Sequence, residues 1–405
     1  MHHSDPVEIE RYRYDLPVSR IARYPLPVRD QSKLLLYDHG RISGHLFHEL
    51  PGLIPSGGRL VFNDTRVIQA RLPFRKPSGA RIEIFCLEPS DPADYERAFR
   101  STGPCQWHCL IGNAKKWKEG PVHMPVKLED EEIILSAQKV GSSEEHFHIR
   151  FEWDRPGISF GEILDHAGQT PIPPYLNRPA EQEDRDRYQT IYSRDPGSVA
   201  APTAGLHFTR GVMDRLAERG IRNSQVTLHV GTGTFVPVKE KDARDHSMHT
   251  ELVTVSRHFI EEWAACPETA LAVGTTTTRT LESLYWLGVK FHTGNESGSG
   301  IPAIGQWEDE QLKGSLSLKE SLEALLGMCR EKGFDRLTFT TRLMIVPGYR
   351  FRTIHGMITN FHMPGSTLLL LIAALIGEDW RQVYKFAMDN QYRFLSYGDS
   401  SLLLP

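Results

Sequence analysis

From about Ile158 to the C-terminus, short apolar runs of strand length alternate with stretches of helical length, and polar residues crowd where one gives way to the next. That alternation constrains the fold more than any other feature, because a chain patterned this way packs helices on a mostly parallel sheet. Met213–Arg219 reads as helix, Ser224–Val230 as strand, His258–Ala265 as helix and Ala270–Val273 as strand. Thr280–Leu287 reads as helix, Leu337–Val346 and Arg352–Asn360 as strands, and Leu368–Ile376 as a buried helix that Ser366 or Thr367 caps. In such sheets ligands bind beyond the carboxyl ends of the strands.

Five segments carry chemistry at those ends: Leu60–Leu72 (LVFNDTRVIQARL), Ser198–Thr209 (SVAAPTAGLHFT), Thr227–Val238 (TLHVGTGTFVPV), Ala272–Ser283 (AVGTTTTRTLES) and Ile358–Leu371 (ITNFHMPGSTLLLL). Gly lets a backbone approach a ligand, and Thr and His bring donors and acceptors to the same place. We expect one composite site built from all five. In AVGTTTTR, strand, Gly274, four threonines and Arg279 lead into a helix whose N–H groups suit an anion. The Gly-Lys-Ser/Thr ending of a P-loop is missing there, and HVGTGTF holds only Gly-x-Gly rather than a dinucleotide fingerprint. NDTR offers Asp64 as a carboxylate flanked by Asn63, Thr65 and Arg66. His246 and His249, with His229 and Glu251, have the makings of a metal cluster, but no His-Glu-x-x-His occurs, and hydrogen-bonding or acid/base roles are the preferred reading.

Between about Pro73 and Trp153 the texture changes to short period-two runs such as Arg81–Leu87, Glu132–Leu135 and Glu145–Phe151, separated by Gly, Pro, Asp and Ser. This spells a small antiparallel β-barrel or sandwich inserted in the α/β frame. The expected organisation is therefore an α/β core of residues 1–72 and 154–405, an inserted β-barrel of residues 73–153, and a polar, Gly/Ser-rich loop excursion over residues 289–320.

The 405 residues are 40% hydrophobic and 24% charged, ordinary for a globular protein, and the formal net charge of −4 excludes a uniformly basic nucleic-acid binder. Residues 1–81 nevertheless carry 13 Lys/Arg against 8 Asp/Glu, which leaves a local basic face open. Lys115, Lys116 and Lys118 around Trp117 make a second basic knot with an aromatic ring that suits RNA. Five scattered cysteines form no Cys-x-x-Cys pair, so neither a disulfide framework nor a thiolate zinc site is expected, and a reducing cytoplasm is. The N-terminus has no signal-peptide core, and Leu368–Ile376 is too short to span a bilayer.

Taken in order, these segments resemble the S-adenosylmethionine:tRNA ribosyltransferase-isomerase family of queuosine biosynthesis. The resemblance runs from Tyr14-Asp15-Leu16-Pro17 and Arg29-Asp30-x-Ser32 through LVFNDTRVIQARL, IPPYL (Ile172–Leu176) and DRYQTIYS (Asp186–Ser193). It continues through VAAPTAGLHFT, TLHVGTGTF, VGTTTTRTLES, PGYRF (Pro347–Phe351), ITNFHMPGSTLL and YRFLSYGDS (Tyr392–Ser400). The departures are Arg23 for the usual Gln, LIGNAKK (Leu110–Lys116) for a more basic loop, His355 for a common Asp, and a longer stretch over roughly residues 291–339.

The resemblance implies an α/β barrel-like core with an inserted small antiparallel β-barrel. It also implies an enzyme that uses S-adenosylmethionine as ribosyl donor and co-substrate, with no resident cofactor and no metal. The implied acceptor is 7-aminomethyl-7-deazaguanine at the tRNA wobble position, and the products are epoxyqueuosine, adenine and methionine. The sulfonium acidifies the ribose 5′ protons, so the reaction needs a base, an acid for adenine and dipoles for a transient oxyanion. The acid/base candidates are Asp64, His207, His229 and His362. Asn63, Arg66, Thr203, Gly205, Gly231, Thr232, Gly233, Thr234, Gly274, Thr275 and Thr276 are substrate-binding candidates, with Arg279 and Asn360 for the methionine carboxylate or the adenine. We expect a cytoplasmic monomer with tRNA and no membrane as partners. The alternatives are a diverged tRNA-binding paralogue without catalysis and a metal-dependent hydrolase.

Overall fold

The computed structural model describes residues 5–129, 131–143, 146–231, 238–295, 300–312 and 316–405. Their architecture is mixed α/β with a nearly closed six-stranded antiparallel barrel, the class the sequence points to. The chain divides into two compact units. One holds the described residues of Met1–Asp64, Thr190–Ser193 and Pro202–Pro405, and the other holds Thr65–Gln189 and Arg194–Ala201.

The first unit is organised by a ten-stranded sheet. Its strands are β1 (Lys33–Asp38), β2 (Arg41–Leu46), β3 (Arg59–Asn63), β12 (Arg222–Leu228), β13 (Glu251–Ser256), β14 (Ala270–Val273), β15 (Ala303–Ile304), β16 (Arg336–Thr341), β17 (Ile354–Asn360) and β18 (Ser400–Leu404). They lie in the order β15-β16-β13-β12-β3-β14-β17-β18-β1-β2. The central block β12-β3-β14-β17 is parallel throughout. Antiparallel neighbours flank it, β13 on one side and β18 on the other, so the sheet is mixed where the alternation read as mostly parallel. β3 and β14 are buried along their whole length, which is why they read as continuous apolar runs rather than alternating ones.

Helix entry and exit follow the local chemistry. Ser366 Oγ accepts the Leu369 N–H at the start of the helix Thr367–Ile376. Ser317 and Glu320 form a capping box for the helix Leu318–Lys332, which stops at Gly333 in the left-handed region (φ 68°). The long helix Thr275–His292 begins five residues earlier than the pattern indicated and takes in all four threonines. Three threonine hydroxyls near its start bond back to carbonyls four residues behind, Thr277 to Val273 (2.7 Å), Thr278 to Gly274 (3.2 Å) and Thr280 to Thr276 (3.0 Å), so they compete little with the helix ladder. Residues expected to form a loop excursion over 289–320 thus include the end of this helix, the edge strand β15, a turn of helix at Glu308–Gln311 and the start of Leu318–Lys332.

The second unit holds β4 (Thr65–Val67), β5 (Arg71–Arg75), β6 (Arg81–Asp91), β7 (Cys105–Gly112), β8 (Val122–Lys127), β9 (Glu132–Ser142), β10 (Phe147–Trp153) and β11 (Asp195–Ser198). β5-β6-β7-β10-β9-β8 make the barrel, with β5 lying against β8, while β4 and β11 pair in parallel. Alternation sends Phe74, Ile84, Trp107, Ile133, Leu135, Ile149 and Phe151 inward. The unit is wider than residues 73–153 because the helix Phe160–Ala167 plugs the same core with Phe160, Ile163 and Leu164, and Val199 joins it. Cys86, Cys105 and Cys109 are sealed inside, free, with burial pushing the Cys105 and Cys109 thiols up. Trp117 is also fully buried, its indole N–H on the Gly120 carbonyl, so Lys115, Lys116 and Lys118 lie beside a ring that bases cannot stack on.

In the first unit, Gly288 lets the helices Thr275–His292 and Leu318–Lys332 touch. A Cβ there would meet Ser321 Oγ at 2.2 Å and the Ser321 carbonyl oxygen at 2.3 Å. Gly288→Ala gains up to about 1 kcal/mol of helix propensity but forces the helices apart. Overpacking of about 1–3 kcal/mol outweighs that gain, so denaturant unfolding should give a net loss of stability. An unchanged or higher midpoint refutes the close packing.

Candidate active site

The carboxyl ends of the parallel strands β3, β12, β14 and β17 bring Asn63-Asp64, Leu228-His229, Gly274 and Asn360 to one edge of the first unit's sheet. Asn63 closes the ladder where β3 ends: its amide donates to the Leu228 carbonyl (3.0 Å) and its carbonyl accepts from the Leu228 N–H (3.0 Å). The next residue, Asp64, is 7% exposed. Its backbone N–H donates to the Val226 carbonyl, and its carboxylate accepts the Thr227 hydroxyl at 2.7 Å.

Tyr192 packs edge-on against Phe62, and its buried hydroxyl has no hydrogen-bond partner among the described residues. Burial raises its pKa first, the Asp64 charge raises it further and Arg29 opposes. Gly205 explains how Tyr192 fits: a Cβ there would sit 1.9 Å from the Tyr192 hydroxyl and 2.8 Å from Thr190 Cγ2. The Gly205 position thus makes room for protein side chains. Gly231 differs, with no described atom within 4 Å of where a Cβ would stand.

The short 3-10 helix Thr203–His207 carries half-buried Thr203 at its start and buried His207 at its end. His207 Nε2 accepts from the Asn360 amide at 3.2 Å, which leaves Nδ1–H for the Ser32 hydroxyl at 2.8 Å. Burial, then the charges of Arg393 and Arg29, push the imidazole down to about 3, so the ring is neutral. Asn360 is 2% exposed, and its carbonyl oxygen has no partner among the described residues. An orphaned acceptor in that setting is costly unless a ligand or water supplies a donor.

His362 sits differently. Its ring bonds the Thr359 hydroxyl at 2.9 Å, its N–H donates to the Tyr384 hydroxyl, and its carbonyl accepts from Tyr14. Burial alone pushes its pKa down to about 3. This is the environment of a core histidine. Arg279 is buried and paired with the buried Glu251 carboxylate, so its guanidinium already holds an anion. Thr275 and Thr276 begin the helix that follows Gly274, whose φ of 95° suits a residue without a Cβ and which offers no side-chain cap to the helix N–H groups.

His229 is half-buried, its backbone N–H bonded to the Leu252 carbonyl. Thr232, Gly233 and Thr234 lie outside the described residues. Arg66 is exposed on β4 of the second unit. Among the described residues His246, His249, His229 and Glu251 make no metal-binding group, and His246 instead bonds Glu240 at 3.1 Å. Ser32, Thr227, Tyr192, Arg393 and Asp399 were not singled out as site residues, although they stand inside the quoted motifs. Their pairings span 175 residues between Ser32 and His207 and 366 between Lys33 and Asp399, which no local pattern encodes.

The buried histidines set a pH dependence. A histidine of folded pKa about 3 has an unfolded value near ~6.5, so the unfolded chain binds more protons between the two. The stability that neutral His362 contributes is therefore complete above the unfolded value and is lost as pH falls below it, by up to about 1.4 kcal/mol per pH unit. Denaturant unfolding of wild type and His362→Gln between pH 7.5 and about 5 should show a shallower slope in the variant. Equal slopes would mean that His362 is not buried neutral.

Comparison with known proteins fits this arrangement of segments. The family model described as queuosine biosynthesis protein matches residues 9–403. A protein of Thermosynechococcus vestitus named S-adenosylmethionine:tRNA ribosyltransferase-isomerase is 37% identical, covering 100% of this chain and 98% of its own. One of the same name from Magnetococcus marinus is also 37% identical, over 99% and 95% respectively. The crystal structure of an S-adenosylmethionine tRNA ribosyltransferase from Thermotoga maritima, 26% identical, covers 97% of this chain and 99% of its own with a TM-score of 0.44. With a match that runs nearly end to end, the chain belongs to the queuosine biosynthesis protein family.

Proposed function

We propose that this chain is an S-adenosylmethionine:tRNA ribosyltransferase-isomerase that transfers and isomerises the ribosyl moiety of S-adenosylmethionine. The acceptor is 7-aminomethyl-7-deazaguanine at the tRNA wobble position, and the products are epoxyqueuosine, adenine and methionine. The end-to-end family match carries the reading. In the same reading the enzyme acts as a cytoplasmic monomer. No helix among the described residues is long and apolar enough to cross a membrane.

The chemistry assigns the residues unequally. A base must take a ribose 5′ proton beside the sulfonium; the sugar ring then opens as adenine leaves, the acceptor amine adds, and closure to the epoxide expels methionine. His362 is enclosed by Thr359, Tyr384 and Tyr14, so we give it a structural role. His207 has its pKa pushed down to about 3 and both nitrogens engaged, which makes it a weak base and a good positioning group for Asn360. Asp64, oriented by Thr227 at the end of β3, is our candidate base. Half-buried His229 is our candidate acid for adenine. The Tyr192 hydroxyl and the Asn360 carbonyl, both without partners among the described residues, are our candidates for bonding a polar substrate.

The test mixes the protein with S-adenosylmethionine and an anticodon stem-loop carrying the aminomethyl-deazaguanine, and follows free adenine and RNA mass. Adenine release with a matching gain of mass supports the proposal. Tight RNA binding without either product favours the non-catalytic paralogue. Asp64→Asn, which keeps the Thr227 contact, should lower turnover by about a hundredfold or more, the scale of a lost general base. Near-normal turnover removes Asp64 from that role. Because a net-acidic protein must hold RNA by local basic surface, affinity for the stem-loop should fall at least about tenfold between roughly 50 and 200 mM salt. Salt-insensitive binding contradicts the RNA reading.

A further inference from the structure

On the outer face of the barrel, three histidines from two neighbouring strands converge. His108 on β7 and His148 on β10 are direct cross-strand partners. His146 stands two residues before His148, so the period-two alternation puts both on one face. One ligand nitrogen from each of the three lies within 4.8 Å of the others. Ring centroids are 4.2 Å apart for His108 and His146, and 4.6 Å for His108 and His148. Neither the family match nor the reaction above uses this cluster.

From this geometry we infer that His108, His146 and His148 form a binding site for a divalent transition metal of the zinc type. Glu88 on β6 faces His108 in the register of the next strand pair, and its carboxylate lies 2.9 Å from His108 Nδ1. An ionised carboxylate only accepts, so Nδ1 carries the proton and Nε2 keeps its lone pair for a metal. A carboxylate on the far nitrogen of a ligating histidine is the usual way proteins fix ring orientation and ligand basicity.

The surroundings leave room for an ion. On the other side of β10, His148 is paired with Gly141 of β9, which has no side chain to cover the ring. The His108 side chain is 23% exposed, within reach of an ion from solvent. Tetrahedral zinc with Zn–N of about 2.0–2.1 Å needs nitrogens roughly 3.3 Å apart, so a modest rotation of surface rings closes the site. Three imidazoles select zinc, cobalt, nickel or copper over magnesium or calcium, which prefer oxygen. The fourth position is left for solvent. Sequence patterning pointed instead to histidines at helical spacing, whereas these meet across strands 38 and 40 residues apart in the chain.

The test uses the full chain and the metals alone. Titration with Co2+ should give about one equivalent bound, with visible ligand-field bands and no intense thiolate charge-transfer band, and Zn2+ should displace it. His108→Gln and His148→Gln should each weaken binding at least about tenfold, and Glu88→Gln by about ten- to a hundredfold. Far-UV circular dichroism checks that each variant is folded. His146→Asn, outside the β10 ladder, gives the same readout without touching a strand. Absence of stoichiometric uptake, a thiolate band that puts the metal on cysteine, or undiminished uptake by His108→Gln/His148→Gln would overturn the site. None of these readouts depends on ribosyl transfer, so their failure is distinct from failure of the proposed function.

Discussion

The two hydrogen bonds between the Asn63 side chain and the Leu228 peptide hold the candidate site together. They act at the point where β3 stops, and they continue the strand pairing with side-chain atoms in place of backbone. Leu228 is fully buried, so without Asn63 its N–H and carbonyl would each lose that partner, at a cost of about 1–3 kcal/mol apiece. The same join fixes Asp64, one residue past Asn63, against Thr227, one residue before Leu228. Only a short side chain with both a donor and an acceptor can do this; an aspartate would present two acceptors and face the Leu228 carbonyl unfavourably.

Around that join, several other buried ionisable side chains of the first unit are held neutral or matched, while the Asp64 carboxylate stays against the Thr227 hydroxyl. His207 and His362 are held neutral by burial. Arg279 is matched by Glu251, whose carboxyl burial pushes up and the guanidinium pulls back. Glu282 is satisfied by the Tyr349 hydroxyl and by the Arg352 and Thr353 N–H groups. Fixed dipoles in such a poorly solvated setting act strongly on developing charge, since no reorientation of solvent is needed when the charge appears.

Much of the fold was legible. Ala270–Val273, the helix around His258–Ala265 and the capped Thr367–Ile376 appear where apolar runs and punctuation put them. The barrel's alternating strands were equally plain. Less legible was the edge of the second unit, because Phe160, Ile163 and Leu164 have helical spacing and nothing local says which core they enter. The helix start at Thr275 was obscured by threonines that favour loops unless their hydroxyls fold back on the helix. At the candidate site, residue types were readable and partnerships were not. Asn360 and His207 are 153 residues apart, and Gly205 reads like a ligand-facing glycine although Tyr192 fills the space above it.

The three sulfur atoms enclosed in the barrel have a use unrelated to catalysis. Cys86, Cys105 and Cys109 are all inaccessible, and Cys86 and Cys109 face each other in the register of β6 and β7. A small alkylating reagent can reach them only when that sheet comes apart. Their labelling rate therefore reports the opening of the second unit alone, while Cys266, partly exposed in the first unit, reacts without any such event. The native chain thus carries its own internal reporter of local unfolding, with a reference thiol on the same molecule.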